Sequence, residues 1–385
     1  MGTYHVTPVT AGDYRRLAEK RLPRFLFDYI DGGAGEEQSM AANADDFSRI
    51  KLRQRVMRDV SKVDTGMELF GQSMDMPVVL APVGLAGMMG RRGEVQGARG
   101  AATAGVPFTT STVGICPIEE VNAAVPQPAW FQLYMLRDRQ LVQSLLGRAQ
   151  DSGCDTLVFT VDLAVTGPRH RDTRNGMLGG ELKGKLAKLW QIMLRPRWIL
   201  DVGIRGKPHD FGNLREAVVD VQDLEGFKAF IDRQFDPSVT WQDIAWLRTQ
   251  WQGNILIKGV MSAEDACQAV DAGADGVIVS NHGGRQLEGV ASSISMLPEV
   301  VAAVGDRAEV LMDGGVRNGT DVVRALASGA KAVMIGRPWV YAMAACGETG
   351  VARLLSVFQQ EMARSMALMG VTRVGQLTSE TIDRP

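Results

Sequence analysis

Cysteine is scarce in this chain, and its four copies (Cys116, Cys154, Cys267 and Cys346) form no Cys-x-x-Cys pair and no metal-ligand spacing. A disulfide framework or a zinc site is therefore excluded as the organising device. The thiols read as reduced, mostly buried small residues of a cytosolic protein. Long hydrophobic runs are also missing: none approaches the ~18 apolar residues of a membrane span. Met1 to Lys20 has no apolar signal core, so a cytoplasmic location is expected. A basic surplus is absent too, with 42 Lys and Arg against 44 Asp and Glu and a net charge of −2. Nucleic-acid partners usually demand such a surplus. No Gly-x-Gly-x-x-Gly opens the first strand–helix unit, and there is no low-complexity stretch. What remains is a hydrophobic content of 45% and a charged content of 22% over 385 residues, enough for one large globular domain.

From residue 76 a rhythm sets in. Short, near-continuously apolar runs at 76–82, 107–111, 130–134, 156–162, 255–259, 276–280, 309–313 and 332–336 read as strands. Helical stretches at Gly93–Gly105, Ile118–Ala124, Asp138–Ser152, Ser262–Ala272, Leu297–Val304, Gly319–Ser328 and Pro338–Ala345 separate or follow most of them. Buried parallel strands have this composition. Eight such units predict an α/β fold of the (β/α)8 TIM-barrel type over an open doubly wound sheet. The first segment, Pro8–Gly33, predicts a helical lead-in, with Thr10 capping one helix and Pro23 opening a second. The whole chain, 1–385, reads as one domain interrupted by a long insertion at about 164–242.

The strand ends carry the chemistry. In order they finish at Pro82, Ser111, Gln132 with Tyr134, Asp162, Lys258, His282 with Arg285, Asp313, and Gly336 with Arg337. In a barrel these ends meet at one face, where active sites sit. The most informative stretch is Ser280–Gly289, Ser-Asn-His-Gly-Gly-Arg-Gln-Leu-Glu-Gly. His282 can exchange a proton near neutral pH, and Arg285 offers a planar fork that matches a carboxylate. Together they predict a pocket that holds a small acid while a proton is removed beside it. A lone histidine would more often be a satisfied core residue; the pairing, the intervening glycines and the strand-end position tip the reading to function. Asp313-Gly-Gly-Val-Arg317 and Ile335-Gly-Arg337 follow the last two strands, where barrels hold phosphate on glycine amides and helix starts. Lys258 could set a fixed positive charge against an electron-accepting ring.

Within the insertion, Leu182, Leu186, Leu189, Trp190, Met193 and Leu194 fall on one helical face, with Lys183, Lys185 and Lys188 mostly elsewhere and Arg195 and Arg197 following. Two readings stand. The helix lies on an anionic membrane surface, or it packs its apolar stripe on the barrel or on a neighbouring subunit.

With these residues assembled, the sequence resembles the FMN-dependent 2-hydroxy-acid dehydrogenase and oxidase family from Asp13 to about Ile382. Ser280-Asn-His-Gly-Gly-Arg-Gln286 is that family's signature. Phe27-Asp-Tyr29, Trp130-Phe-Gln-Leu-Tyr134, Thr160-Val-Asp162, Ile257-Lys-Gly259, Asp313-Gly-Gly-Val-Arg317 and Ile335-Gly-Arg-Pro338 support it. Within the family the likeness is strongest to the bacterial respiratory L-lactate dehydrogenases, through Ala81–Leu85, Ser111–Glu120 and Gly206–Asn213. The resemblance implies an FMN cofactor, His282 as base, and Asp162 as the carboxylate that orients it and favours its charged form. It implies Arg285 and Tyr29 on the substrate carboxylate, with Arg169 as a second candidate, and Tyr134 on the substrate hydroxyl. Lys258 would sit at the flavin N1–O2 edge. Pro82, Val83, Gly84, Ser111, Gln132 and Thr160 would contact isoalloxazine or ribityl, and Asp313, Gly315, Arg317, Gly336 and Arg337 ribityl and phosphate. It further implies a homo-oligomer, a tetramer in the family, and oxidation of L-lactate to pyruvate with electrons leaving to a quinone or other respiratory acceptor, peripherally on the inner face of the cell membrane.

Two departures bear on substrate. Leu163-Ala-Val-Thr-Gly-Pro-Arg-His170 resembles the mandelate branch more than the Met-Pro-Thr-Pro-Gly pattern of the lactate enzymes, and Val113 stands where glycolate oxidases carry tryptophan. The first departure favours a mandelate-type enzyme and the second argues against the plant glycolate oxidases; a mandelate- or glycolate-type dehydrogenase or oxidase using oxygen is the alternative. A flavin-less barrel lyase or isomerase with the same phosphate cradle is more remote, because it has no reason to combine Lys258 with His282 and Arg285. A non-catalytic barrel that only senses a hydroxy acid does not need His282, Asp162 and Tyr134 together.

Overall fold

The structure, a computed structural model, describes residues 7–177, 182–215 and 233–383. Eight parallel strands form its central sheet: β1 (Val78–Leu80), β2 (Thr109–Ser111), β3 (Trp130–Tyr134), β4 (Thr156–Thr160), β5 (Asn254–Val260), β6 (Gly276–Val279), β7 (Glu309–Asp313) and β8 (Ala332–Ile335). From β2 to β8 each strand pairs with the next, and β8 pairs with β1. A bridge from Leu80 to Phe108, with the Leu80 amide donating to the Pro107 carbonyl at 3.0 Å, joins β1 to β2 and closes the (β/α)8 barrel.

Strand periodicity explains why one end of this barrel is reactive. Val79, Trp130, Val158, Leu256, Ile278, Leu311 and Met334 form an interior cluster. The hairpin Met67–Leu69 and Gln72–Met74 adds Leu69 and Met74 to it, and Phe70 meets Trp130 edge to face at 6.1 Å. Side chains two residues further along share the same face. After Trp130 come Gln132 and Tyr134, after Val158 Thr160 and Asp162, after Leu256 Lys258, after Ile278 Ser280 and His282, after Leu311 Asp313. The barrel interior is therefore apolar at the amino ends of the strands and polar at their carboxyl ends. The alternate residues, such as Phe131, Leu157, Ile257 and Val277, join the larger core under the helices.

The helices start where capping side chains stand. Asp138 accepts from the Gln140 and Leu141 amides at 3.0 and 3.1 Å, Ser262 from Asp265 at 3.1 Å and Asn318 from Asp321 at 2.8 Å; each cap is worth about 1 kcal/mol. The lead-in Pro8–Gly33 holds the two expected helices, α1 (Ala11–Arg21) and α2 (Arg24–Asp31), and a further helix, α3 (Gln38–Arg49), follows it. Helix Arg337–Leu368 runs on well past Ala345, broken by Gly347 at φ +68°. The barrel helix after β4 is Gln242–Gln250, so the insertion lies within a loop on the carboxyl face.

Inside that insertion α4 (Leu182–Met193) turns its polar side to the protein. Gln191 accepts from the Phe25 amide at 2.8 Å, Arg195 donates to the Leu22 carbonyl at 2.9 Å, and Lys188 lies 5.9 Å from the Phe25 ring centre. Leu186, Leu189, Trp190, Met193 and Leu194 are each more than half exposed; the Leu182 side chain lies outside the described residues. Packing of the apolar stripe on the barrel is thus overturned: α4 is anchored by side-chain polar groups and shows its hydrophobic face outward.

Candidate active site

A cavity of about 690 Å³ opens at the carboxyl ends of the strands. Of the residues singled out in the sequence, Tyr29, Pro82, Val83, Gly84, Tyr134, Thr160, Arg169, Lys258, His282, Arg285, Asp313, Gly315, Arg317, Gly336 and Arg337 line it. Asp162 stands directly behind His282, bonded to its ring. Ser111 and Gln132 are buried in the barrel below, joined by a 3.0 Å bond from the Ser111 hydroxyl to Gln132 Oε1.

His282 is held in the left-handed backbone region, φ +59°, followed by Gly283 and Gly284 at +63° and +72°. A non-glycine residue there stores about 1 kcal/mol or more of strain. The turn is held by the His282 amide donating to Ser280 Oγ at 3.0 Å and by Nδ1 meeting Asp162 Oδ1 at 2.9 Å. Burial lowers the imidazole's pKa, and the favourable charge and hydrogen bond of Asp162 only partly offset this. The net direction is down, so the ring is neutral at pH 7, although Asp162 acts in the expected sense. Asp162 itself is lowered: burial opposes its charge, and His282 and Lys258 outweigh burial.

Lys258 lies 2.9 Å from Asp313 Oδ2 and donates to Ser280 Oγ at 2.9 Å. Burial pulls its pKa down, yet Asp313 and Asp162 outweigh this and raise it above the ordinary lysine value, fixing a cation in the cavity wall.

Arg285 Nη1 donates to the carbonyls of Tyr29 and Gly32 at 2.7 and 2.8 Å, and its guanidinium lies 5.2 Å from the Tyr29 ring centre. Arg337 donates from Nε to Ile30, from Nη1 to Gly283 and from Nη2 to Gly32, at 3.1, 2.9 and 2.8 Å. Both arginines thus fasten the end of α2, which carries Tyr29, onto the barrel; Arg337 therefore has a clamping part beyond the phosphate contact expected from sequence. Arg169 makes weaker contacts, 3.5 Å to the Arg285 carbonyl and 3.5 Å to Gln286 Oε1. Burial first, and Arg285 second, push its pKa down to about 10, leaving it a cation at neutral pH. Burial also raises the Tyr134 phenol above its ordinary value, keeping it a hydrogen-bond donor.

Two supports were not assigned from sequence. Gln286, part of the signature, donates to the carbonyls of Asp162 and Val165 at 2.8 and 2.9 Å and accepts from Gly167 at 3.2 Å. It stitches the loop bearing Asp162 and Arg169 to the loop bearing His282. Asn43 on α3 exchanges two amide bonds with Asn281, at 2.7 and 2.9 Å. A polar helix with no capping side chain gave no signal for it.

Gln132 Nε2, Thr160 Oγ1 and Asp313 Oδ1 are buried without a partner. Unmet polar atoms cost about 1–3 kcal/mol each, so a donor, a hydroxyl and an acceptor on strands β3, β4 and β7 suit a ligand with alternating carbonyl and N–H groups. A Cβ placed on Gly336 would meet nothing closer than Ala81 and Val83 at 4.0 Å; a helix start lies open to the cavity there, a natural anion site. The set fits a flat heteroaromatic ring carrying a phosphate, with Lys258 as fixed charge.

Comparison with known proteins agrees. The L-lactate dehydrogenase of Caulobacter vibrioides is 54% identical over 370 residues, covering 96% of each chain, and that of Alcaligenes faecalis 50% identical, covering 97% of this chain and 98% of the relative. Among solved structures, the monotopic membrane protein (S)-mandelate dehydrogenase superposes with a TM-score of 0.92 at 36% identity, over 98% of this chain and 100% of that one. A mandelate oxidase gives 0.82 at 37% identity, over 98% of both. The family of FMN-dependent dehydrogenases matches over residues 18–384, so FMN is the cofactor, and the chain belongs to the FMN-dependent dehydrogenase family.

Proposed function

We propose that this enzyme oxidises an L-2-hydroxy acid, L-lactate to pyruvate in the first instance. The carrying observation is the His282–Asp162 pair beside buried Lys258, facing Tyr134 and two cationic arginines in one cavity. Arg169 and Arg285 hold the carboxylate with Tyr29, and Tyr134 bonds the substrate hydroxyl. His282 Nε2, neutral at pH 7, takes a proton as C2 becomes a carbonyl carbon, and Asp162 stabilises the imidazolium that results. Bound FMN supplies the two-electron acceptor. Lys258 balances negative charge developing on that side of the cavity, while Gln132, Thr160, Pro82, Val83 and Gly84 bind the ring and Asp313, Gly315, Arg317, Gly336 and Arg337 the chain and phosphate. The names of the L-lactate dehydrogenase relatives support lactate; those of the mandelate enzymes support a larger acid as the second reading. The test is anaerobic: yellow holoenzyme should bleach with L-lactate and not with D-lactate. Bleaching by mandelate alone would move it to the second reading.

For the electron acceptor we propose a quinone reached at a membrane surface. No helix among the described residues is long and apolar enough to cross a bilayer. The outward face of α4, with Trp190 60% exposed and Lys183, Lys185 and Arg197 exposed around it, suits an anionic lipid surface. The structural likeness to a monotopic membrane enzyme supports the same reading.

A further inference from the structure

We infer that Phe235 sets the size limit on the substrate side chain by closing the catalytic cavity off from a second pocket with an apolar wall. That pocket, about 320 Å³, lies beside the first, and Tyr134, Thr160, Leu163 and Phe235 line both. The Phe235 ring packs on the Tyr134 ring with centroids 5.0 Å apart and is 6% exposed. Beyond it the second pocket is walled by Phe159, Val239, Trp241 and Val260. Its acidic groups are already engaged: Asp236 with Arg139 at 2.7 Å, and Asp265 with Ser262 at 2.9 Å. The Asp236 charge is paired, the Asp265 carboxylate is held by a hydroxyl, and Phe159, Val239, Trp241 and Val260 supply hydrocarbon contact.

Phe235 is not a loose plug. It bridges Leu136 in antiparallel fashion, the Arg137 amide donates to the Gln234 carbonyl at 2.8 Å, and the Asp236 amide donates to the Met135 carbonyl at 3.1 Å. The chain returning from the insertion is thus zipped to the exit of β3, and the ring it carries is fixed beside the phenol that binds the substrate hydroxyl. This inference rests on the 2-hydroxy-acid reading. A methyl side chain fits in front of Phe235; an aromatic one needs the space behind it.

The experiment measures kcat/KM of holoenzyme for L-lactate and for L-3-phenyllactate, in wild type, Phe235→Leu and Phe235→Ala, with bound FMN quantified in each. Hydrophobic pockets discriminate by roughly tenfold or more per methylene. The phenyllactate-to-lactate ratio should therefore rise at least about tenfold in Phe235→Ala and by less in Phe235→Leu. Flavin-replete variants whose two activities fall in parallel, or whose ratio is unchanged, overturn the gate. If Phe235→Ala loses FMN, the ratio in Phe235→Leu decides. Wild-type flavin that neither acid reduces removes the 2-hydroxy-acid reading itself, and is told apart because it fails before any substitution.

Discussion

His282 Nδ1 and Asp162 Oδ1 meet at 2.9 Å although they leave the barrel from β6 and β4, with β5 between them. The strand between makes this possible through Gly259 near its end, at φ +112°, where a Cβ would lie 2.6 Å from the Asp162 Cβ. The base is thus oriented across a gap that only glycine leaves open, and its ionisation is set by burial against one carboxylate.

That balance fixes a pH dependence. Burial lowers the His282 pKa below its ordinary value, ~6.5. A base works unprotonated, so kcat/KM should be flat through neutrality and fall with unit slope only below pH ~6.5. Asp162→Asn removes the group that raises the imidazole pKa, so the acid limb should move to still lower pH. A midpoint unchanged or moved upward in that variant would show that Asp162 does not control the base.

The same pair separates chemistry from cofactor binding. His282→Gln should retain FMN, whose proposed phosphate contacts follow β7 and β8, while kcat falls by about 10²–10⁴. Absorbance of the purified variant reads the flavin, and single-turnover reduction reads the chemistry. A near-normal rate with full flavin would end the assignment of His282 as base.

Arg285 and Arg169 should fail differently. Arg285 is bonded to two carbonyls of the α2 end, and a lysine reproduces neither its fork nor its stacking on Tyr29. Arg285→Lys should raise KM by roughly 10–100-fold, the worth of a charged hydrogen bond, and lower the melting temperature too. Among the described residues the Arg169 guanidinium makes only 3.5 Å hydrogen bonds, so Arg169→Met should raise KM with little change in melting. Equal melting losses in both would mean that Arg169 is structural.

Much of this was legible in the sequence, for reasons the structure makes physical. Buried parallel strands must be apolar on both faces, so all eight could be read, and their carboxyl ends brought Lys258, His282 and Asp313 to one face of the barrel. Helix α3 escaped because Gln38–Arg49 has one large aromatic residue, Phe47, and begins at Glu37 without a capping side chain. Residues 348–368 escaped because Gly347 and Gly350 read as a stop, although Val351, Leu354, Leu355, Phe358 and Met362 keep helical spacing beyond them. The two sides of α4 could be seen in sequence. Which of them faces the protein depends on Gln191, Arg195 and their partners Phe25 and Leu22, contacts no local pattern carries.

Asp31 offers a test of stability. It accepts from Arg15 at 2.6 and 2.7 Å, from Arg171 at 2.8 Å and from Tyr341 at 2.6 Å, tying α1, α2, the short helix His170–Arg174 and the helix Arg337–Leu368 together. Burial would raise its pKa, and the bonds from Arg15 and Tyr341 outweigh this and hold it at about 2. A depressed carboxylate stabilises the fold above its unfolded pKa of ~4, and that contribution fades as pH falls through about 2. Asp31→Asn should cost about 2 kcal/mol at pH 7, with the difference from wild type shrinking as pH falls below ~4. Denaturant unfolding at pH 7 and pH 3 checks it; a difference independent of pH would mean that packing, not charge, is what Asp31 supplies.

The outward face of α4 gives the last expectation. Leu186, Leu189, Trp190, Met193 and Leu194 are exposed while Lys188, Gln191 and Arg195 hold the helix to the Leu22–Phe25 corner between α1 and α2. Apolar side chains facing water gain roughly 1.5–3 kcal/mol each on full burial, and basic residues near anionic lipid add about 1 kcal/mol each. Lipid binding should therefore need both apolar face and negative charge. The intact chain should co-sediment with anionic vesicles and less with neutral ones, and raised salt should weaken it. Leu189→Glu with Trp190→Glu should release it, because both changes remove hydrocarbon contact and add like charge to the surface. Flavin content and anaerobic reduction by substrate should survive, since neither residue touches the cavity, while quinone reduction in membranes should fall. Wild-type protein that ignores both lipids but dissociates on the double substitution would instead identify this face as a contact between subunits.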